Sequence, residues 1–243
     1  MQETYAKFRR LDPGKIVETV RTLQKRIEER FPDAGLGKVV AELSEIADET
    51  VARAAWIQKP NLPLRFAAAV LSLVIIALLI VLLAHIREFK FDDFVNSMQG
   101  LDSAIGSVVF IGAAILFFLS WETRIKRRRA LKAIHELRAL AHIIDMHQLT
   151  KDPETYLGRG TNSAVLHRRE MTPFELNRYL DYCSDALAVI SKIAALYVQG
   201  FEDPVLLDAV DDVEDLTAGF ARKIWQKITI LEHVRRSVEE GKA

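Results

Sequence analysis

The residues best placed for chemistry are His135, His142, Asp145 and His147, four potential donors within one short stretch. His135 and His142 stand close to two helical turns apart, and Asp145 follows His142 by one turn. On a helix the three share a face and could offer nitrogen and oxygen donors to a divalent metal, or a proton to a substrate. His147 points away from His142 on the same helix. The HExxH pattern, which sets two imidazoles one turn apart around a glutamate base, is missing. His135, His142 and Asp145 are therefore weak candidates for a metal site and read first as the polar side of a helix, and no cofactor is expected.

Other clusters are weaker. Gly158-Arg159-Gly160-Thr161-Asn162-Ser163 has the composition of a phosphate-cradling loop, but no strand precedes it and GxxxxGK[ST] is absent, so it reads as a linker. Asp208, Asp211, Asp212, Glu214 and Asp215 form an acidic patch without the loop and central glycine of a calcium site, which makes it a solvated helix face. Cys183 lies on an apolar helical seam and no GxSxG elbow is present, so nucleophilic catalysis has no support and an enzyme is not expected. A lone cysteine cannot form an intrachain disulfide, which agrees with a reducing compartment.

The elements that carry these residues are organised around Phe66 to Ala84, FAAAVLSLVIIALLIVLLA. This run has no ionisable side chain and is long enough, at about 19 residues, to cross a ~30 Å hydrocarbon layer as a helix. A second uncharged run, Ala104 to Trp121, ends in an aromatic anchor and a basic collar of Arg124, Lys126, Arg127, Arg128, Arg129 and Lys132. Arg53, Lys59 and Arg65 precede the first run, and only Arg87 and Lys90 lie between the two. The positive-inside bias then places both termini in the cytoplasm of an inner or plasma membrane. Neither run contains an ionisable residue, so neither marks an ion pathway. Small residues, Ala68 and Ser72 in the first and Gly106, Ala113 and Ser120 in the second, allow the two to pack closely.

Outside the membrane runs, hydrophobic periodicity predicts helices throughout. Ile16, Val20, Leu23 and Ile27 define one stripe and Val40, Leu43, Ala47 and Val51 another, with Pro32 to Gly35 as the break between them. Residues 13–59 thus read as a helical hairpin. Phe91, Phe94, Val95 and Met98 fit a short interfacial helix or an ordinary loop between the spans. Ile134, Leu137, Leu140, Ala141 and Ile144 continue the second span as a stalk. Thr172-Pro173-Phe174-Glu175 carries the signals of a capping box, opening a helix whose seam is Leu176, Leu180, Cys183, Leu187, Ile190, Ala194 and Tyr197. Asp203-Pro204 opens a last helix with Leu206, Val210, Val213, Thr217, Phe220, Ile224, Ile228 and Leu231 on one face.

The expected fold is all-α: a two-span transmembrane hairpin whose N- and C-terminal cytoplasmic helices form a helical bundle with coiled-coil-like seams. The expected divisions are 1–63, an N-terminal hairpin; 64–121, the spans, with an extracytoplasmic connection 86–103; and 122–243, the stalk, linker and C-terminal helices. An acidic patch brought back to the membrane would face the basic collar. Lys+Arg and Asp+Glu balance at 33 each, which removes the electrostatic footprint of a nucleic-acid binder. The expected partners are the lipid bilayer and either another protein or further copies of the chain. The expected function is a membrane-anchored interaction, scaffolding or signal-relay module, with an oligomeric effector that permeabilises the bilayer as one alternative. A metal-dependent enzyme using the stalk histidines is the other.

Overall fold

A computed structural model describes residues 9–60, 62–87, 94–151 and 171–239. Among them are six helices and no strand: α1 (Pro13–Arg30), α2 (Gly35–Gln58), α3 (Leu62–Arg87), α4 (Phe94–Leu149), α5 (Pro173–Val198) and α6 (Pro204–Glu239). The segment 152–170, with Gly158 to Ser163, lies outside the described residues, as do 88–93 and so Phe91.

Local chemistry fixes the helix starts. Asp12 caps α1 by accepting from the Gly14 and Lys15 amides at 2.9 and 3.3 Å, and Pro13 supplies a preset φ at the first helical position. At α5 the capping box is complete, the Glu175 amide donating to Thr172 Oγ1 at 3.2 Å and the Thr172 amide to Glu175 Oε2 at 2.7 Å. Asp203 caps α6, accepting from the Leu206 amide at 3.1 Å.

The chain divides into two compact units, Lys59–Arg129 and the combination of Met1–Gln58 with Ala130–Ala243. The larger unit is a helical bundle organised on α5, which packs against α1, α2 and α6, while α1 and α2 form a hairpin. Burial explains that central place. Besides the expected seam, Tyr179, Ala186, Val189, Ile193 and Leu196 are buried, so α5 is apolar around most of its circumference. Each large aliphatic side chain removed from water there contributes ~1.5–3 kcal/mol. The second half of α4 adds Ala130, Ala133, Ile134, Leu137, Ala141 and Ile144 to the same core. All eight residues of the expected α6 stripe are buried as well.

The structure corrects two local readings. In α2 the buried stripe is Val40, Leu43, Ala47, Thr50, Ala54 and Ile57, and Val51 is exposed. The stripe steps alternately by three and four, so after Ala47 it falls on a threonine, and the buried hydroxyl is satisfied by hydrogen bonds. The second correction concerns the connection 86–103. Phe94, Val95 and Met98 do not form a separate short helix, because α4 begins at Phe94 and continues unbroken for 56 residues.

The smaller unit contains α3 and the first part of α4. Many of its described large apolar side chains face outward: Phe66 is 71% exposed, Leu73 65%, Phe110 79% and Leu116 69%. Among the described residues no helix is long and apolar enough to cross a membrane. The sequence run from Phe66 to Ala84 also contains Leu78, Leu79, Leu82 and Leu83, whose side chains lie outside the described set.

Candidate functional site

The polar contacts of the larger unit concentrate where α4 is gripped by the bundle. Near its start there, Glu136 Oε2 accepts from Arg53 Nη1 of α2 at 3.1 Å. Glu49, one turn before Arg53, pairs with the same guanidinium. Behind this pair lie two buried hydroxyls, Thr50 Oγ1 and Tyr197 Oη, 3.0 Å apart. Burial by itself would lower the Arg53 pKa, but hydrogen bonds to Glu136 and Tyr197 outweigh it and hold the guanidinium above its ordinary value. Burial is also the main reason that Tyr197 is pushed up, with the Arg53 guanidinium opposing it. One cluster therefore ties α2, α4 and α5 together.

Further along, α4 meets α6 at three successive points. Arg138 Nη1 lies 3.6 Å from Asp212 Oδ2, the His142 ring meets Phe220 edge to face at 5.4 Å, and Lys227 Nζ donates to the Gln148 carbonyl at 2.9 Å. Residue numbers rise together on both helices, so this part of α4 and α6 run in the same direction. Lys227 also reaches the Lys151 carbonyl at 3.3 Å, placing a positive charge where the end of α4 leaves carbonyls unpaired.

These contacts account for the histidine cluster. His135 is exposed, His142 packs edge to face on Phe220, and Asp145 accepts from the buried Gln148 side chain at 2.7 Å. His147 is half-buried beside Gly35, with its pKa lowered first by burial and then by Lys151. Among the described residues no three His, Cys, Asp or Glu side chains are grouped so that they could hold a metal ion. Seven-residue spacing put His135 and His142 on one side of α4, but among the described residues nothing on α2, α5 or α6 completes a ligand set around them.

One residue of the acidic patch, Asp212, is paired within the larger unit. The base that Asp212 meets is Arg138, nine positions beyond Arg129, while Asp208, Asp211, Glu214 and Asp215 are exposed. Within the smaller unit Lys126 is buried. Its ammonium lies 2.8 Å from Glu122 Oε1 and donates to the Lys59 carbonyl at 2.7 Å. Arg65 of α3 lies 2.6 Å from the other Glu122 oxygen. Lys126 thus ties α4 to the connection before α3, and Glu122 reaches α3 through Arg65, whereas Arg124 and Arg128 are exposed.

Sequence reasoning missed Thr50, Arg53, Glu136, Glu122, Gln148 and Lys227 as site residues. Their types are ordinary on helix surfaces, and their roles come from partners distant in the chain. Cys183 is buried and its thiol is pushed up to about 12, mainly by burial, with Lys151 and Lys227 opposing. That leaves it protonated and unreactive at neutral pH. Among the described residues these contacts join helices and set their register. No protein-family model, curated protein or solved structure matches the chain.

Proposed function

We propose that the protein is a membrane-anchored relay, in which α3 and the first part of α4 enter the bilayer as a two-span hairpin and the helical bundle engages a protein partner or another copy of the chain. The observation that carries this reading is the continuity of α4. The helix that holds the uncharged run Ala104 to Trp121 also supplies Ala130, Ile134, Leu137 and Ile144 to the bundle core. A displacement of the part of α4 that lies in the bundle would have to repack the core to which it contributes. Outward Phe66, Leu73, Phe110 and Leu116 support lipid as the surrounding solvent, because apolar patches of this extent are rare on water-facing surfaces. The positive-inside bias of the flanking basic residues supports a cytoplasmic bundle.

The test is purification from membranes in mild detergent, followed by mass measurement of the intact complex. The reading expects the chain to resist alkaline extraction and to appear in a species heavier than its own 27.5 kDa. A chain released by alkali, or one of monomer mass after gentle extraction, would sink it. Dye leakage from vesicles carrying the purified protein would instead favour the permeabilising effector.

A further inference from the structure

Four residues of α4, Phe117, Trp121, Arg124 and Arg128, follow one another in steps of four, three and four and so share one face of the helix. The face is built in layers. Phe117 and Trp121 pack edge to face at 5.2 Å, and the Arg124 guanidinium lies 5.2 Å from the centre of the Phe117 ring. Both aromatic side chains remain open, 42% and 39% exposed, and both arginines are exposed. The aromatic contact holds the Arg124 head group at the level of the rings.

The rest of the unit separates this face from the other charges. Glu122 sits on another side of α4, where it takes up Arg65 and Lys126, and Lys126 is further committed to the Lys59 carbonyl. Among the described residues neither Arg124 nor Arg128 makes an ion pair. The collar therefore contains charges of two kinds, one group used to join helices and another turned outward beside exposed aromatic rings.

We propose that the Phe117–Trp121–Arg124–Arg128 face seats an anionic phospholipid, its phosphate held between Arg124 and Arg128 and its acyl chains lying along Phe117 and Trp121. This inference rests on the membrane-anchored reading. Arg124 and Arg128 stand one turn apart, with ~6 Å of rise between their backbone positions, and each guanidinium can offer a fork of donors to phosphate oxygens, which a lysine pair does not provide. The order of backbone positions along α4, apolar ring, amphipathic ring, cation, cation, follows the order of chemistry from acyl chain to headgroup, with the Arg124 head group reaching back beside the rings. An acidic protein surface would match the arginines but would leave Phe117 and Trp121 without an apolar neighbour.

The experiment uses the full chain in nanodiscs of equal parts phosphatidylcholine and phosphatidylglycerol, with Trp56→Phe and Trp225→Phe leaving Trp121 as the only tryptophan. Bromine is placed on the acyl chains of one lipid or the other, and quenching of Trp121 is compared. The site expects brominated phosphatidylglycerol to quench more strongly than brominated phosphatidylcholine, with a preference on the order of five-fold for each arginine engaged. Arg124→Gln with Arg128→Gln should bring the ratio to one, while quenching by both lipids persists. Equal quenching in the parent protein, or a preference that survives the double variant, would overturn the lipid site while leaving the membrane anchor standing. Absence of quenching by either lipid would show that Trp121 is not in contact with acyl chains and overturn both. A preference erased by millimolar glycerol phosphate in the buffer would assign the arginines to a free phosphate ester and likewise overturn the proposal. So would an unchanged ratio in nanodiscs accompanied by Arg124-dependent binding of an acidic peptide.

Discussion

Tyr197 Oη and Thr50 Oγ1 lie 3.0 Å apart across the interior of the bundle, although 147 positions separate them in the chain. The Thr50 hydroxyl has a single proton, and it is directed to the Ile46 carbonyl at 2.7 Å. Tyr197 must then be the donor of the pair, which leaves its own lone pairs for Arg53. Tyr197→Phe removes a donor from Thr50 and an acceptor from Arg53, and Thr50→Val leaves a buried phenol proton without its acceptor. Each change should cost ~1–3 kcal/mol. The two act on one bond, so the double variant should cost less than the sum by ~0.5–2 kcal/mol in denaturant unfolding. Strict additivity would mean that the hydroxyls do not interact.

The core position of α5 gives a second expectation. Leu187 is fully buried on the helix that the rest of the bundle packs around. Leu187→Asp introduces a carboxylate with no partner, at a cost of several kcal/mol against a domain stability of ~5–15 kcal/mol. The variant should lose protease resistance and helicity in the bundle. Wild-type behaviour would show that Leu187 has access to water.

Cys183 supplies an alkaline expectation on the same helix. Its folded pKa, raised from 9.0 to about 12, lies above the unfolded value. The folded state therefore retains a proton that the unfolded state releases, and the associated stability is complete below pH 9.0 and lost as pH rises through this window. The slope approaches ~1.4 kcal/mol per pH unit. Tyr179 and Tyr197 are shifted the same way and add to the loss above their ordinary value of 10.0. Cys183→Ala should flatten the stability profile just above pH 9.0, before the tyrosines contribute. In the native protein, maleimide should label Cys183 only after unfolding, and rapid labelling at neutral pH would contradict its burial.

Much of the bundle was legible in the sequence because burial there follows helical periodicity. The α6 stripe from Leu206 to Leu231 and the α5 seam from Leu176 to Tyr197 are read directly from the spacing of apolar residues. Thr172 and Glu175 announce their capping box within four positions. Legibility failed where a polar group is buried with a distant partner. Thr50 broke an apolar stripe and was passed over for Val51, since the satisfying phenol comes from another helix. Lys126 was counted with the basic collar because Glu122 and Arg65 look like ordinary charges until the helices meet, and Arg65 lies 57 positions from Glu122. The histidines erred in the other direction, sharing a side of α4 while Phe220, Gln148 and Gly35 gave them and Asp145 separate surroundings.

Gly35 and His147 provide the last expectation, in which packing and titration meet at one contact. A Cβ added at Gly35 would stand 2.5 Å from His147 Cε1, closer than any real Cβ contact, so the imidazole would have to move. Gly35→Ala should cost ~1–3 kcal/mol by overpacking, despite alanine being the better helix former. Shortening the neighbour should relieve it, so that Gly35→Ala costs little when introduced into a His147→Ala background. The imidazole also titrates. Its folded pKa is held below 6.5 by burial and by Lys151, so the neutral ring is the form that the bundle favours. Stability linked to it is complete above pH 6.5 and declines as pH falls toward the folded pKa, because the unfolded chain takes up the proton first. His147→Ala should remove that part of the acid-side decline. If Gly35→Ala costs the same with and without His147, the clash is not what destabilises it; if the acid limb is unchanged by His147→Ala, another group carries the proton.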